Sequence, residues 1–258
     1  MIYLILLPLL VALSSSPQSS ATGFLKRKVS IDNTEYCYQV FVPQDYSPKK
    51  SWPVLLFLHG AGERGSDCSA QTEIGLGPAL RRELKNFPGV VVMPQCLPGE
   101  FWHGEMEQQA LQALEQTLKE FHGDRARVYL TGLSMGGYGT FYFAARHPGK
   151  FAALAPICGG VVPPRTFPFP PNVAEQIPKD KPYETIAKLI GKTPVWIFHG
   201  SADRTIPVSE SRNMSAALRA IGGAVKYTEY EGVEHNSWDR AYAEKELWTW
   251  LFAQKLHK

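Results

Sequence analysis

Five consecutive residues, Val54-Leu55-Leu56-Phe57-Leu58, carry no polar side chain. A strand with one wet face alternates, so an unbroken apolar run reads as a strand covered on both faces. Val90-Val91-Val92-Met93, closed by Pro94, is a second such run, and Val195-Trp196-Ile197-Phe198 is a third. Between them the period changes. Met106, Ala110, Leu114, Leu118 and Phe121 fall on one face of a helix predicted from Glu105 to His122. Met135 to Arg146 reads as a helix stopped by Pro148-Gly149, and Pro207 to Ile221 as one stopped by Gly222-Gly223. Glu35 to Val42, Val128 to Thr131, Phe151 to Ile157 and Val225 to Tyr230 read as further strands, and Asp239 to Gln254 as a closing helix. Strands alternating with helices predict an α/β fold, a mostly parallel central sheet with helices on both faces.

At 258 residues the chain is long enough for one such domain, and residues 22–258 read as a single unit. Ahead of it, Ile2 to Leu13 is an apolar run too short to cross a bilayer as a helix. Small residues from Ser14 to Ala21 follow it, so residues 1–21 read as a secretory signal peptide, although no Lys or Arg precedes the run. The mature protein is then expected to begin near Thr22, secreted or periplasmic and free of the membrane. Cys37, Cys68, Cys96 and Cys158 lack C-x-x-C spacing, which argues against zinc and leaves the pairing open in an exported chain. Cys158 ends an apolar strand and reads as a small buried hydrophobe. The net charge of +3 is spread without a Lys/Arg cluster of the kind that marks a nucleic-acid surface, so no nucleic-acid partner is expected. Asn213-Met214-Ser215 is a glycosylation sequon inside a predicted helix. Residues 163–182 are dense in proline and read as a long loop or small cap.

Gly132-Leu133-Ser134-Met135-Gly136 fits G-x-S-x-G, a pattern too short to carry weight alone. Its context gives it meaning, because a strand runs straight in and a helix starts directly after. In so tight a turn, side chains at 132 and 136 would collide with neighbouring backbone, hence glycine. Ser134 at the apex is held in a strained conformation that exposes its hydroxyl, above a helix N-terminus that favours developing negative charge.

A serine hydroxyl needs a base to become a nucleophile. His235, in Gly232-Val233-Glu234-His235, follows the last strand and is the expected base. His103 and His199 are its rivals, although His199 ends a strand before Gly200 and reads as orienting the next loop. The acid that holds the imidazole is expected at Asp203, after Val195 to Phe198; Asp239 is nearer in sequence but reads as a helix start. The oxyanion donors are expected to be the backbone N–H groups of Met135 and Ala61, with Gly62 next. His59 is expected to pack within that glycine-rich loop, and Glu63 and Arg64 to pair with each other or hold it. Gly62, Trp102 and Trp238 are candidate substrate-pocket residues, although core packing is the favoured reading of the two tryptophans. This chemistry needs no metal and no cofactor.

At these residues the sequence resembles the α/β-hydrolases. LFLHGAGERG, GLSMGGYGTFYFAARHP, FAALAPICGG, VWIFHGSADRTIPVSESRNM and GVEHNSWDRAY are similar to secreted esterases of the polyhydroxybutyrate-depolymerase-like and feruloyl-esterase-like branch. That branch adjoins the prolyl-oligopeptidase catalytic domain. The resemblance implies the α/β-hydrolase fold, with nucleophile, acid and base at Ser134, Asp203 and His235. It implies a serine carboxylesterase acting through an acyl-enzyme on a small-molecule or polymer-linked ester of the feruloyl, acetyl or hydroxyalkanoate type. A serine peptidase of the prolyl-oligopeptidase type and a non-catalytic binding protein on the same scaffold are the competing readings. No β-propeller precedes the hydrolase region, which argues against a peptidase gated for short peptides. Three intact triad positions argue against the binding protein. Segment 163–182 departs from the relatives where a cap or pocket wall would sit.

Overall fold

A computed structural model describes residues 22–83, 87–164, 169 and 177–256. The signal peptide expected at 1–21 and the greater part of the proline-dense segment lie outside these residues.

Eight strands form one sheet: β1 (Gly23–Ile31), β2 (Thr34–Val42), β3 (Trp52–Leu58), β4 (Val90–Pro94), β5 (Gly123–Leu133), β6 (Ala153–Ile157), β7 (Val195–Gly200) and β8 (Val225–Tyr230). Their spatial order is β1-β2-β4-β3-β5-β6-β7-β8. Strand β2 runs antiparallel to β1 and β4, and the other neighbouring pairs are parallel. Seven helices accompany the sheet among the described residues: α1 (Leu76–Glu83), α2 (Glu105–Glu120), α3 (Met135–Arg146), α4 (Pro182–Ile190), α5 (Ser209–Ala220), α6 (Trp238–Ala243) and α7 (Lys245–Ala253).

The apolar runs are explained by burial on both faces. Val54, Leu56 and Leu58 of β3 join the core that holds Leu114, Phe141, Ile186 and Leu218 of α2 to α5. Leu55 and Phe57 join the opposite core, with Leu76 of α1, Tyr242 of α6 and Leu251 of α7. Alternate side chains of one strand thus feed two separate layers.

Several elements differ from the sequence expectation. Strand β1 is not among the predicted strands, because Lys26, Arg27 and Lys28 interrupt any apolar pattern on this edge strand. It joins β2 through Asp32 and Asn33, both with positive φ, a pair suited to a two-residue hairpin turn. Helices α1 and α4 are likewise unpredicted; Gly77 and Pro78 blur the first, and the second begins at Pro182, where the expected loop ends. The closing helix is two helices, broken at Glu244, whose backbone is extended.

From β3 the chain steps to β4 on one side, then crosses back to β5 on the other. The loops leaving the carboxyl ends of β3 and β5 therefore diverge, and the crevice between them is where open α/β sheets bind their ligands.

Candidate active site

Strand β5 runs without a break into Ser134, and α3 starts at the next residue. Ser134 sits at φ 53° and ψ −117°, a conformation that costs a residue with a Cβ on the order of 1–3 kcal/mol. The strain is held by packing. A Cβ on Gly132 would lie 2.3 Å from Gly136 O, and one on Gly136 would lie 1.9 Å from Leu58 O. Strand, turn and helix can approach this closely only with glycine at both positions. Ser134 N–H also donates to Ile157 O of β6, at 3.0 Å.

Ser134 Oγ lies 2.9 Å from His235 Nε2, and His235 Nδ1 lies 2.7 Å from Asp203 Oδ2. The structure thus brings together three residues spread over a hundred positions. Asp203 stands in the loop after β7 and His235 in the loop after β8. Those loops are laced by Ser201 N–H to Tyr230 O (2.9 Å) and Ala202 N–H to Val233 O (3.0 Å). Asp203 Oδ1 accepts from the N–H groups of Thr205 (2.8 Å) and Ile206 (2.9 Å). Burial works to raise the Asp203 carboxyl, but hydrogen bonds from His199, His235 and Ile206 N–H, with the His235 charge, hold it well below the ordinary value. An ionised Asp203 can only accept, so His235 Nδ1 carries its hydrogen and Nε2 turns a lone pair to the Ser134 hydroxyl.

The loop after β3 forms the opposite wall. Ala61–Glu63 is a 3-10 turn entered through Gly60. Arg64 donates to Ala61 O at 2.9 Å and to Glu100 O at 3.3 Å, with its guanidinium 5.2 Å from the Phe101 ring centroid. Arg64 holds the loop, and no ion pair joins it to Glu63. Burial pushes the Glu63 carboxyl up from its ordinary value, against the backbone N–H groups of Gly60 and Glu63 itself. Met135 is the first residue of α3, so its N–H has no acceptor within the helix.

A cleft of about 290 Å³ opens over Ser134. Gly60, Ala61, Gly62 and Glu63 line one side, Thr205, Ile206, His235 and Trp238 the other, and Leu133 the floor. Trp238 meets the His235 ring edge-on at 5.4 Å. Trp102 has to be moved out of the pocket. It is 3% exposed, packs against His59 and donates from Nε1 to His59 O at 2.9 Å, so it supports the loop from beneath. Glu63, Leu133, Thr205 and Ile206 were not expected in the wall. The signal that could have found the last two is their position two and three residues after Asp203. Of the rival histidines, His199 is fully buried and faces Asp203 rather than Ser134, with Nε2 3.2 Å from Oδ2. The two remaining thiols, Cys96 and Cys158, are buried, while Cys37 and Cys68 form a disulfide.

The profile of the prolyl oligopeptidase family matches residues 102–256. A relative from Arthroderma benhamiae, named an uncharacterized secreted protein, is 29% identical over 71% of this chain and 21% of its own length. Poly(3-hydroxyalkanoate) depolymerase C of Paucimonas lemoignei is 29% identical over 59% of this chain and 38% of its own. The chain therefore spans between a fifth and two fifths of these curated relatives. Among solved structures, a thermostable esterase superposes with a TM-score of 0.75 at 33% identity, covering 90% of this chain and 63% of the other. The architecture is the α/β-hydrolase fold.

Proposed function

The chain belongs to the prolyl oligopeptidase family, and we propose that it is a serine hydrolase cleaving carboxylic esters, with Ser134 as nucleophile, His235 as base and Asp203 as the acid that orients it. The observation that carries this reading is the unbroken line from Ser134 Oγ through His235 to Asp203, at 2.9 and 2.7 Å. Ser134 Oγ attacks the ester carbonyl as His235 Nε2 takes its proton. The N–H groups of Met135 and Ala61 receive the oxyanion. The tetrahedral intermediate collapses, and the alcohol leaves with the proton from His235. Water, deprotonated by the same nitrogen, then frees the acid from the acyl-serine.

The cleft walls favour a slender, largely apolar group beside Trp238, and the esterase and depolymerase relatives support an ester substrate. Export is part of the proposal. It is supported by the apolar leader, by the Cys37–Cys68 disulfide, since such bonds persist in oxidising compartments, and by the secreted relative. No helix among the described residues is long and apolar enough to cross a membrane.

Ser134→Ala should lower p-nitrophenyl ester turnover by more than about a thousandfold. A variant keeping more than that fraction would remove Ser134 from the mechanism. Amide hydrolysis is the second reading, favoured by the family itself and by acylamino-acid-releasing relatives. Comparable turnover of an aminoacyl-naphthylamide would select it over ester cleavage.

A further inference from the structure

His199 lies at the end of β7, fully buried, and Asp203 follows in the loop four residues later. Its Nε2 is 3.0 Å from Ile206 O and 3.2 Å from Asp203 Oδ2. A carbonyl and an ionised carboxylate oxygen both accept, so Nε2 carries a hydrogen. Its Nδ1 is 2.7 Å from the hydroxyl of Ser211, a fully buried residue on α5. The Ser211 hydroxyl therefore donates to Nδ1 and fixes the tautomer. Asp203 Oδ2 thus receives the His235 N–H in full and a share of the His199 N–H, which it divides with Ile206 O, while Oδ1 receives two backbone N–H groups. The carboxylate cannot rotate without breaking several of these bonds at once.

Resting on the triad reading above, we propose that His199 is a positioning residue for the reaction, a second imidazole that shares Asp203 Oδ2 with His235 and sets how strongly the carboxylate holds it. Two donors on one oxygen weaken each other, because each draws on the same electron density. With His199 present, Oδ2 divides its electron density between two imidazole N–H groups while it orients His235. With His199 removed, Oδ2 is free to stabilise protonated His235 more strongly, and the base stays protonated to a higher pH. Glu63, raised by burial, shares the cleft with His235, and every variant compared below keeps it unchanged. Burial pushes the Tyr138 hydroxyl on α3 and the Cys158 thiol beyond β6 well above their ordinary values, so both stay neutral. Glu229 on β8 stays ionised against Arg212, which holds it at about 2.

The test compares wild type with His199→Leu, His199→Gln and Ser211→Ala. It uses kcat/KM for a p-nitrophenyl ester from pH 5 to 9, the rate of Ser134 labelling by a fluorophosphonate, and thermal unfolding. His199→Leu should lose about ten- to a hundredfold in kcat and in labelling rate, the loss expected for one hydrogen bond to a charged group. Its acid limb should move to higher pH. His199→Gln, whose amide can donate along the same line, should recover much of the loss and return the limb. Ser211→Ala, which frees the tautomer, should move the limb the same way by less; it carries the test if His199→Leu does not fold. An unmoved acid limb in both His199→Leu and Ser211→Ala, or a His199→Gln as impaired as His199→Leu, overturns the proposal. Labelling keeps the two readings apart: a wild type that labels at Ser134 but turns over no ester fails as an esterase, while the His199 comparison still stands.

Discussion

At Asp203, four donors converge on one carboxylate, and the charge they hold decides which nitrogen of His235 carries the hydrogen. Asp203→Asn keeps the size but offers His235 Nδ1 an amide N–H, so the ring must accept there and carry its hydrogen on Nε2. That tautomer cannot take the Ser134 proton. We expect kcat for a p-nitrophenyl ester to fall by about 10⁴ with KM little changed; a loss below tenfold would contradict the assignment. Gly136→Ala acts on the fold instead. Its Cβ would lie 1.9 Å from Leu58 O and 2.8 Å from His59 O, backbone atoms that cannot turn aside. A loss on the order of 4 kcal/mol, or failure to fold, is expected in urea unfolding. Residues of this kind were legible in the sequence because their signals are local: glycines two positions either side of a serine, or a polar residue just past an apolar strand. Trp102 was not, since a tryptophan in a loop gives no sign of which way it faces, and the structure turns it inward. Glu63 and Leu133 entered the cleft through loop paths that have no period to read.

Among the elements, the loop after β3 shows how a glycine-rich stretch is made rigid. The Gln95 amide accepts from Cys68 N–H at 2.8 Å and donates to Asp67 Oδ1 at 2.9 Å. Gln39 donates to Cys68 O at 2.7 Å, and Gly65 N–H to Cys96 O at 2.9 Å. His59 Nε2 accepts from Cys96 N–H at 2.9 Å, so Nδ1 carries the hydrogen and donates to Gly60 O at 2.6 Å. A trans peptide points its C=O and N–H in opposite directions, so fixing Gly60 O fixes where Ala61 N–H points. The Cys37–Cys68 disulfide adds a covalent tie across 31 positions. Replacing both cysteines with serine should lower unfolding stability by about 3.5 kcal/mol through the freed unfolded chain. Since Gln39 and Gln95 keep hold of the loop backbone, kcat should hold at temperatures where the variant is folded. A parallel collapse of kcat would mean that the disulfide, not the glutamines, shapes the loop. None of this clamp is readable from spacing, because four cysteines in a row of numbers do not say which two meet. The strands tell the opposite story. β3, β4 and β7 are legible because both of their faces are buried, whereas β1, with one edge open and three consecutive basic residues, shows no strand pattern.

Over the whole molecule, the buried ionisable groups set the pH range in which the fold is stable. His59 is fully buried, and desolvation lowers it from 6.5 to about 4. As pH falls from about 6.5 to about 4, the unfolded chain takes up a proton at this site while the native protein does not, so stability falls with pH across that window. The loss is on the order of 3 kcal/mol. Asp203, Asp67 and Glu229 are also lowered, so they add stability above the ordinary carboxylate range and lose it as pH falls further. On the alkaline side the sign reverses. Burial raises Cys96 from 9 to about 12 and Tyr129 from 10 to about 12, so native protons are kept where the unfolded chain gives them up. Those contributions are full below about pH 9 and fade as pH rises. Urea unfolding should therefore show a plateau between about pH 6.5 and 9, with a fall on each side. His59→Gln isolates the acid side, since an amide does not titrate. It should be less stable than wild type at pH 7 but lose less between pH 6.5 and 4, so that the two curves converge. Parallel curves through that window would show that the proton is taken up elsewhere.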